Sequence, residues 1–401
     1  MKLMKIVGDV KEKKILLLQG PMGSYFNTLD TKFTNEGAKV FRIGFNAGDE
    51  FFARTDHYTG YKDKPKNWQK FVEEFYKKYD IQMLFVFGDC RFYQKIAIDI
   101  AKKLQIEVFV FEEGYIRPNF ITLEKYGVNG YSPQPKERTF YDNLIFDDNL
   151  IEEIESVVKF KSTFIKLARE AIIYYWVANL FYHKYPYYIH HRNFSLMDEF
   201  KAGCKNVFRK YKYKFTERGL NNRFKNELSK KYYFVPLQTH GDFQIKTHSK
   251  YKNIEAFIKE VMESFSKNAP KETFLVFKHH PVDRGRRNHA NYIKNLAYIL
   301  GIKHRVIVTW DVHLPTLLKN AIGTVVINST VGISSLYHET PTICLGDAIY
   351  DIEGLTSLGL TIDEFWSEYK EVDTELFKKF RGYLIKTTQI NSNFGGVKIT
   401  V

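Results

Sequence analysis

The sequence predicts an α/β protein of two Rossmann-like domains facing a cleft, with a basic helical insertion between them. Three features point there: short unbroken apolar runs alternate with helical stretches in the first third, the alternation returns in the last part, and a basic, aromatic stretch separates the two. Strands of a parallel sheet are covered by helices on both faces, so they read as continuous apolar runs.

In the first third the runs are Lys14 to Gln19, Val40 to Phe45, Met83 to Phe87 and Val108 to Phe111, with a helical pattern such as Tyr93 to Leu104 between them. Gly20-Pro21-Met22-Gly23-Ser24 reads as a turn leading from the first strand into a helix. In the last part the strands are Tyr232 to Pro236, Phe274 to Lys278, Val306 to Thr309, Thr324 to Asn328 and Thr342 to Leu345. The clearest helices there are Asn253 to Lys267 and Asn288 to Leu300. The expected division is 1–155 for the N-terminal domain, 156–231 for the basic segment, 232–365 for the C-terminal domain and 366–401 for a helix and tail.

At 401 residues the chain is long for one core, which favours two domains. With 44% apolar and 26% charged residues it belongs to neither the disordered nor the membrane-spanning class. The Lys-rich start lacks an apolar core and a small-residue cleavage site, so no secretory signal is read. The longest near-apolar stretch, Ala171 to Tyr182, is about half of the roughly 20 residues a bilayer span needs. Cys90, Cys204 and Cys344 are scattered without a CxxC pair, which predicts reduced thiols and neither a disulfide framework nor a zinc site.

In such sheets ligands bind beyond the carboxyl ends of the strands, and every chemistry-bearing motif falls at such an end. Phe111-Glu112-Glu113-Gly114-Tyr115 puts a carboxylate where it can act as acid, base or charge stabiliser, or simply sit in a solvated loop. Phe277-Lys278-His279-His280-Pro281 offers an imidazole to a phosphate. Adjacent strand residues point to opposite faces, which argues against one metal shared by the two histidines. Asn328-Ser329-Thr330-Val331-Gly332 opens a helix and is either an anion site or an ordinary cap. Gln238-Thr239-His240-Gly241-Asp242 carries a turn aspartate or a carboxylate nucleophile. Gln19, Gly20, Asn46, Asp49, Asp89 and Arg91 lie in strand-end loops of the first domain, where turn chemistry explains them nearly as well.

The order of these motifs resembles the CMP-sugar-using transferases of GT-B type. Leu17 to Pro21, Gly44 to Asp49, Phe109 to Pro118, Val128 to Ser132 and Val276 to Pro281 sharpen the likeness. They resemble the capsule polysaccharide biosynthesis family, and within it the KpsS-like branch of retaining β-Kdo glycosyltransferases, over about Lys14 to Trp366. That resemblance implies transfer of Kdo from CMP-β-Kdo to a phosphatidylglycerol-type lipid, starting the poly-Kdo linker of a capsule. It implies Asp242 as nucleophile and Glu113 as acid/base or stabilising carboxylate. His280, Lys278, Ser329, Thr330, Asn328 and Gln238 form the donor-binding set, and Gln19, Gly20, Asn46, Asp49, Asp89 and Arg91 the acceptor side. Many GT-B enzymes bind ribose through a Glu in the following helix; here Ser334-Ser335 occupy that region. A CMP leaving group is stable without a cation and no DxD pair stands out, so no metal or other cofactor is expected. The rival readings are a non-catalytic GT-B-like component of the capsule export assembly and a UDP-sugar transferase or epimerase of the same fold.

The chain carries a net charge of +14. Val157 to Lys231 holds 17 Lys and Arg against 5 Asp and Glu, nearly all of the excess, with Phe160, Phe164, Trp176, Phe181 and several tyrosines interleaved. Basic and aromatic residues on opposite sides of a helix suit an anionic membrane interface, with Arg209, Lys210, Lys212 and Lys214 as contacts. Nucleic acid shares the charge signature, but no RNA- or DNA-binding motif accompanies it. The expected location is cytoplasmic, peripheral on the inner face of the inner membrane, where other capsule proteins are possible partners.

Overall fold

The computed structural model describes residues 2–53, 55, 57–145, 164–190 and 196–395. The expected boundary at 155, positions 156–163 and 191–195 of the basic stretch (Phe160 among them) and 396–401 of the tail lie outside the described residues.

The chain forms two compact units. The first takes in Met1–Pro133, Asp147–Leu196 and Gly382–Val401, the second Gln134–Phe146 and Met197–Arg381. In the first, the strands β1 (Lys14–Leu18), β2 (Lys39–Gly44), β3 (Tyr58–Gly60), β4 (Met83–Phe87), β5 (Glu107–Glu113) and β6 (Phe120–Lys125) join one sheet with a late strand, β12 (Gln389–Asn391). Its order is β12-β6-β5-β4-β1-β2-β3. The five strands from β5 to β3 run parallel, and β6 and β12 add an antiparallel edge.

The second unit holds β7 (Tyr232–Pro236), β8 (Phe274–Lys278), β9 (Val306–Thr309), β10 (Gly323–Val326) and β11 (Thr342–Cys344). They form an all-parallel sheet of order β11-β10-β7-β8-β9. Both sheets therefore start in the middle, build outward on one side, then return and build on the other. Each has a switch point between its first and fourth strands. Each is a Rossmann-like α/β unit.

Side-chain alternation explains the unbroken apolar runs. Leu16, Leu18, Val108 and Val110 enter one cluster with Trp68, Val72 and Ala97. Ile15, Leu17, Phe109 and Phe111 enter another with Phe26, Leu29 and Phe33. In the second unit Tyr233, Val235, Leu275 and Phe277 pack with Phe257, Val261 and Phe265, while Tyr232, Phe234 and Val276 pack with Phe224 and Leu317. A strand buried on both faces has no position where a polar residue is free of cost.

Three expectations about organisation need correction. The basic segment is not one module, because its two helices pack on different units. Helix Phe164–Leu180 joins the first unit: Glu170 accepts a 3.0 Å bond from the Ser24 hydroxyl, and Tyr174 is buried against Asp49. Helix Leu196–Thr216 packs on the second. The tail is not an appendage either, since β12 pairs with β6. Residues 134–146 belong with the second unit, where Arg138 reaches Asp373 at 2.8 Å.

Candidate functional site

The switch point of the second unit collects the polar groups that follow β7 and β10. Gln238, itself buried, donates from Nε2 to Asn328 Oδ1 at 3.0 Å and to Asp242 Oδ2 at 3.2 Å. One amide thus ties the two strand ends together. Asn328 is fixed from its other side by donating to the carbonyls of Gln244 (3.3 Å) and His248 (3.4 Å). Asp242 is the N-cap of helix Phe243–Thr247, accepting from Gln244 N at 3.0 Å through Oδ1. Oδ2 receives the Gln238 bond, and a carboxylate oxygen has two acceptor directions, so Oδ2 retains capacity. Asp242 is therefore a capping aspartate through Oδ1, and Oδ2 is the oxygen on which the expected nucleophile role would fall.

His280 follows β8 as the cap of the turn Pro281–Gly285, its Nδ1 accepting from Val282 N at 3.2 Å. His279 is buried, stacked on Trp310 at 3.6 Å, and its Nε2 accepts from His289 N at 3.0 Å. Burial, with His289 nearby, holds its pKa down to about 3, so it is a neutral structural ring.

Two members of the expected donor set have other partners. The Lys278 ammonium donates to the Trp310 carbonyl at 2.5 Å. Burial lowers its pKa to about 8 against the opposing pull of Glu217 and Asp311. One of its three N–H donors is thereby engaged on the β9 side. Ser329 Oγ accepts from Val331 N at 3.2 Å, and its carbonyl accepts the Tyr350 hydroxyl. Helix Val331–Tyr337 is seven residues long, and Thr330 makes no side-chain capping bond. Little dipole stands behind it, so it offers local N–H groups only. Ser335 is buried on Thr324 at 2.8 Å.

In the first unit Glu113 is exposed at the end of β5, while Glu112 is partly buried and accepts from Glu113 N at 2.9 Å. Burial pushes the Glu112 carboxyl up to about 7; Arg91 opposes this, and Glu113 and Asp89 reinforce it. The expected carboxylate is Glu113, and Glu112 beside it is the one that burial perturbs. Strand alternation could not choose between them, because both faces of β5 are covered.

The residues expected on the acceptor side are largely interior. Asp49 Oδ2 accepts from Gln19 Nε2 (3.0 Å), Phe45 N (2.8 Å) and Asn46 Nδ2 (3.1 Å), and Oδ1 from the Tyr174 hydroxyl at 2.8 Å. Burial raises the Asp49 pKa, and these bonds counter the shift. Asn46 also caps helix Ala47–Phe52. A Cβ on Gly48 would sit 2.7 Å from the Tyr174 carbonyl, so glycine lets the Phe164–Leu180 helix approach. Gly20 lies against the Phe26 ring. Asp89 is buried, accepting from Val128 N at 2.9 Å, and the Arg91 guanidinium lies 5.1 Å over the Phe87 ring. Gln19, Asn46, Asp49 and Asp89 are filled by internal partners and hold loops in place, which corrects their expected role as acceptor contacts.

Helix Leu196–Thr216 docks through Asn206, Arg209 and Tyr213. Asn206 Oδ1 accepts from Arg284 at 3.3 Å, Arg209 donates to the Arg284 carbonyl at 2.7 Å, and Tyr213 stacks on Trp310 at 5.0 Å. Just beyond, Glu217 accepts from the Thr309 hydroxyl (2.6 Å), Trp310 N (2.8 Å) and Asp311 N (2.8 Å). Arg209 therefore faces the protein and not a membrane. Lys210, Lys212 and Lys214 are exposed, and so are Val207, Phe208, Tyr211 and Phe215. Among the described residues no helix is long and apolar enough to cross a membrane, and no disulfide joins the three cysteines.

The model of the family described as "Capsule polysaccharide biosynthesis protein" matches residues 82–395. The chain is 41% identical over 380 residues to the capsule polysaccharide export protein KpsS of Escherichia coli, covering 95% of this chain and 96% of that one. It is 37% identical over 385 residues to the capsule polysaccharide modification protein LipB of Neisseria meningitidis serogroup A, covering 95% and 91%. Among solved structures, the β-Kdo 2,7-transferase of Thermosulfurimonas dismutans KpsC superposes with a TM-score of 0.43 at 16% identity, covering 92% of this chain and 89% of that one.

Proposed function

Since this chain belongs to the capsule polysaccharide biosynthesis family, we propose that it is a retaining β-Kdo glycosyltransferase that moves Kdo from CMP-β-Kdo to a phosphatidylglycerol-type lipid. The observation that carries this reading is Asp242: a carboxylate at the switch point, oriented by its helix cap and by Gln238, with one oxygen still able to take a further bond.

In the first step Asp242 Oδ2 attacks the anomeric carbon of Kdo. The bond from that carbon to the phosphate oxygen breaks, and CMP leaves with the electron pair, giving a Kdo–aspartyl ester. In the second step an acceptor hydroxyl attacks the same carbon, the ester breaks, and Asp242 returns as carboxylate; two displacements retain configuration. The acceptor proton passes to a carboxylate, a role the family resemblance gives to Glu113. His280, at the turn that follows β8, and the N–H groups near Ser329 and Thr330 suit the departing phosphate. This leaving group needs no cation, and none takes part in either step.

A lipid acceptor gives the exposed Val207–Phe215 face a purpose. Apolar rings outward among Lys210, Lys212 and Lys214 suit an anionic bilayer surface, at which the protein is peripheral on the inner face of the inner membrane. The decisive experiment is incubation with CMP-β-Kdo and a fluorescent phosphatidylglycerol analogue, followed by mass spectrometry of lipid and protein. A Kdo-extended lipid and a Kdo adduct on the Asp242 peptide are expected. Retained configuration with no adduct under single turnover would remove the aspartyl ester.

A further inference from the structure

The loop that carries Asp242 also carries His240, and this histidine has company. One ligand atom from each of His240, Glu255 and His289 lies within 4.8 Å of the other two. The three come from different elements: the loop after β7, the first turn of helix Ile254–Asn268, and the cap of helix Ala290–Ile299. Glu255 Oε1 is 3.4 Å from His289 Nδ1. That contact occupies Nδ1 and leaves Nε2 as the ring nitrogen for a ligand.

A second observation points to a ligand. His289 is 4% exposed, yet its Nε2 has no hydrogen-bond partner among the described residues, and neither does His240 Nδ1. Buried polar groups normally find partners, so each of these nitrogens has room for a ligand. The charges select the ligand's sign. Glu255 and the buried Asp283, which accepts from His240 N at 2.9 Å, bring two carboxylates to His289 in the cluster against the guanidinium of Arg287, a balance that favours a cation.

We propose that His240, Glu255 and His289 form a binding site for a divalent transition-metal ion of the zinc class. Two imidazoles and one carboxylate are the donor set such ions take, and three protein ligands leave a fourth position open. The site departs from the expectation that the protein binds no metal. Bound there, the ion joins the β7 loop to two helices and holds the turn in which Asp242 N donates to the Thr239 carbonyl at 3.0 Å. It positions that loop and takes no part in glycosyl transfer, so its test is independent of the proposed reaction.

The test is titration of the chelator-stripped, full-length protein with Co²⁺, read by visible absorption, alongside the melting temperature with and without Zn²⁺. One Co²⁺ per chain is expected, with the intense absorption of a four- or five-coordinate site, displaced by Zn²⁺, and a melting temperature raised by Zn²⁺. Glu255→Gln and His289→Ala should each weaken Co²⁺ binding by at least about tenfold. Glu255 is partly exposed, so its amide variant keeps the fold measurable if His289→Ala does not. Absence of the absorption, or absorption unchanged in Glu255→Gln, overturns the site.

Discussion

Asp242 is asked to do two things, and a pair of substitutions separates them. Asp242→Ala removes the N-cap bond to Gln244 and one acceptor of Gln238. Losing a cap costs about 1 kcal/mol, which in a unit of this size lowers the melting temperature by about 2–4 °C. Asp242→Asn keeps an amide oxygen for the cap, and Asn caps about as well as Asp, so its stability should change by only a few tenths of a kcal/mol. An amide is not a nucleophile, however. Both variants should lose transfer from CMP-β-Kdo by at least about 10³-fold, since removing the nucleophile of a two-step displacement removes the pathway. CMP should still raise the melting temperature of both. The assay is initial-rate formation of Kdo-extended fluorescent lipid, with calorimetry on the same preparations. If Asp242→Asn turns over within a few-fold of the parent, Asp242 is a cap alone and the nucleophile lies elsewhere.

Other groups give independent checks. Glu217→Ala strands two backbone N–H groups and the buried Thr309 hydroxyl, and should cost about 3–5 kcal/mol, with loss of the near-UV signal of the Tyr213–Trp310 stack; a cost below about 1 kcal/mol refutes the anchor. Glu112 has a folded-state pKa raised to about 7 from 4.5, so the stability it contributes is fully present below pH 4.5 and is lost as pH rises through about 7. Glu112→Gln should therefore gain on the parent by about 2–3 kcal/mol between pH 4.5 and pH 8, in denaturant titrations at both values; parallel pH curves refute the shift. Replacing Phe208 and Phe215 by Ser, or Lys210, Lys212 and Lys214 by Gln, should lower co-sedimentation with phosphatidylglycerol vesicles at physiological salt. Arg209→Gln should act on stability instead, because its guanidinium binds the Arg284 carbonyl. Vesicle binding indifferent to both the Phe and the Lys sets refutes the membrane face.

The strands were legible because they are short apolar runs closed by turn residues. Met83–Phe87, Tyr232–Pro236, Phe274–Lys278 and Val306–Thr309 fall where the pattern puts them. The edge strands β3 and β12 were not, since neither is marked by an unbroken apolar run and their pairing is decided by the neighbour they meet. Charge was legible as an amount but not as a direction. Arg209 and Lys210 are adjacent in the sequence, and only the docking of Asn206 and Tyr213 sends one inward and leaves the other exposed.

By itself the sequence determined the two α/β units and the strand-end positions of Asp242, His280, Asn328 and Ser329, because both follow from local periodicity and turn chemistry. Tertiary structure decided what each of those groups is free to do. Asp49 and Asn46 face each other and Tyr174 across 128 residues or fewer, so they are filled; Lys278 meets the Trp310 carbonyl; Glu112, rather than Glu113, loses its water. Desolvation and hydrogen-bond saturation depend on partners distant in the chain. No local pattern records them, and the meeting of His240, Glu255 and His289 is settled in the same way.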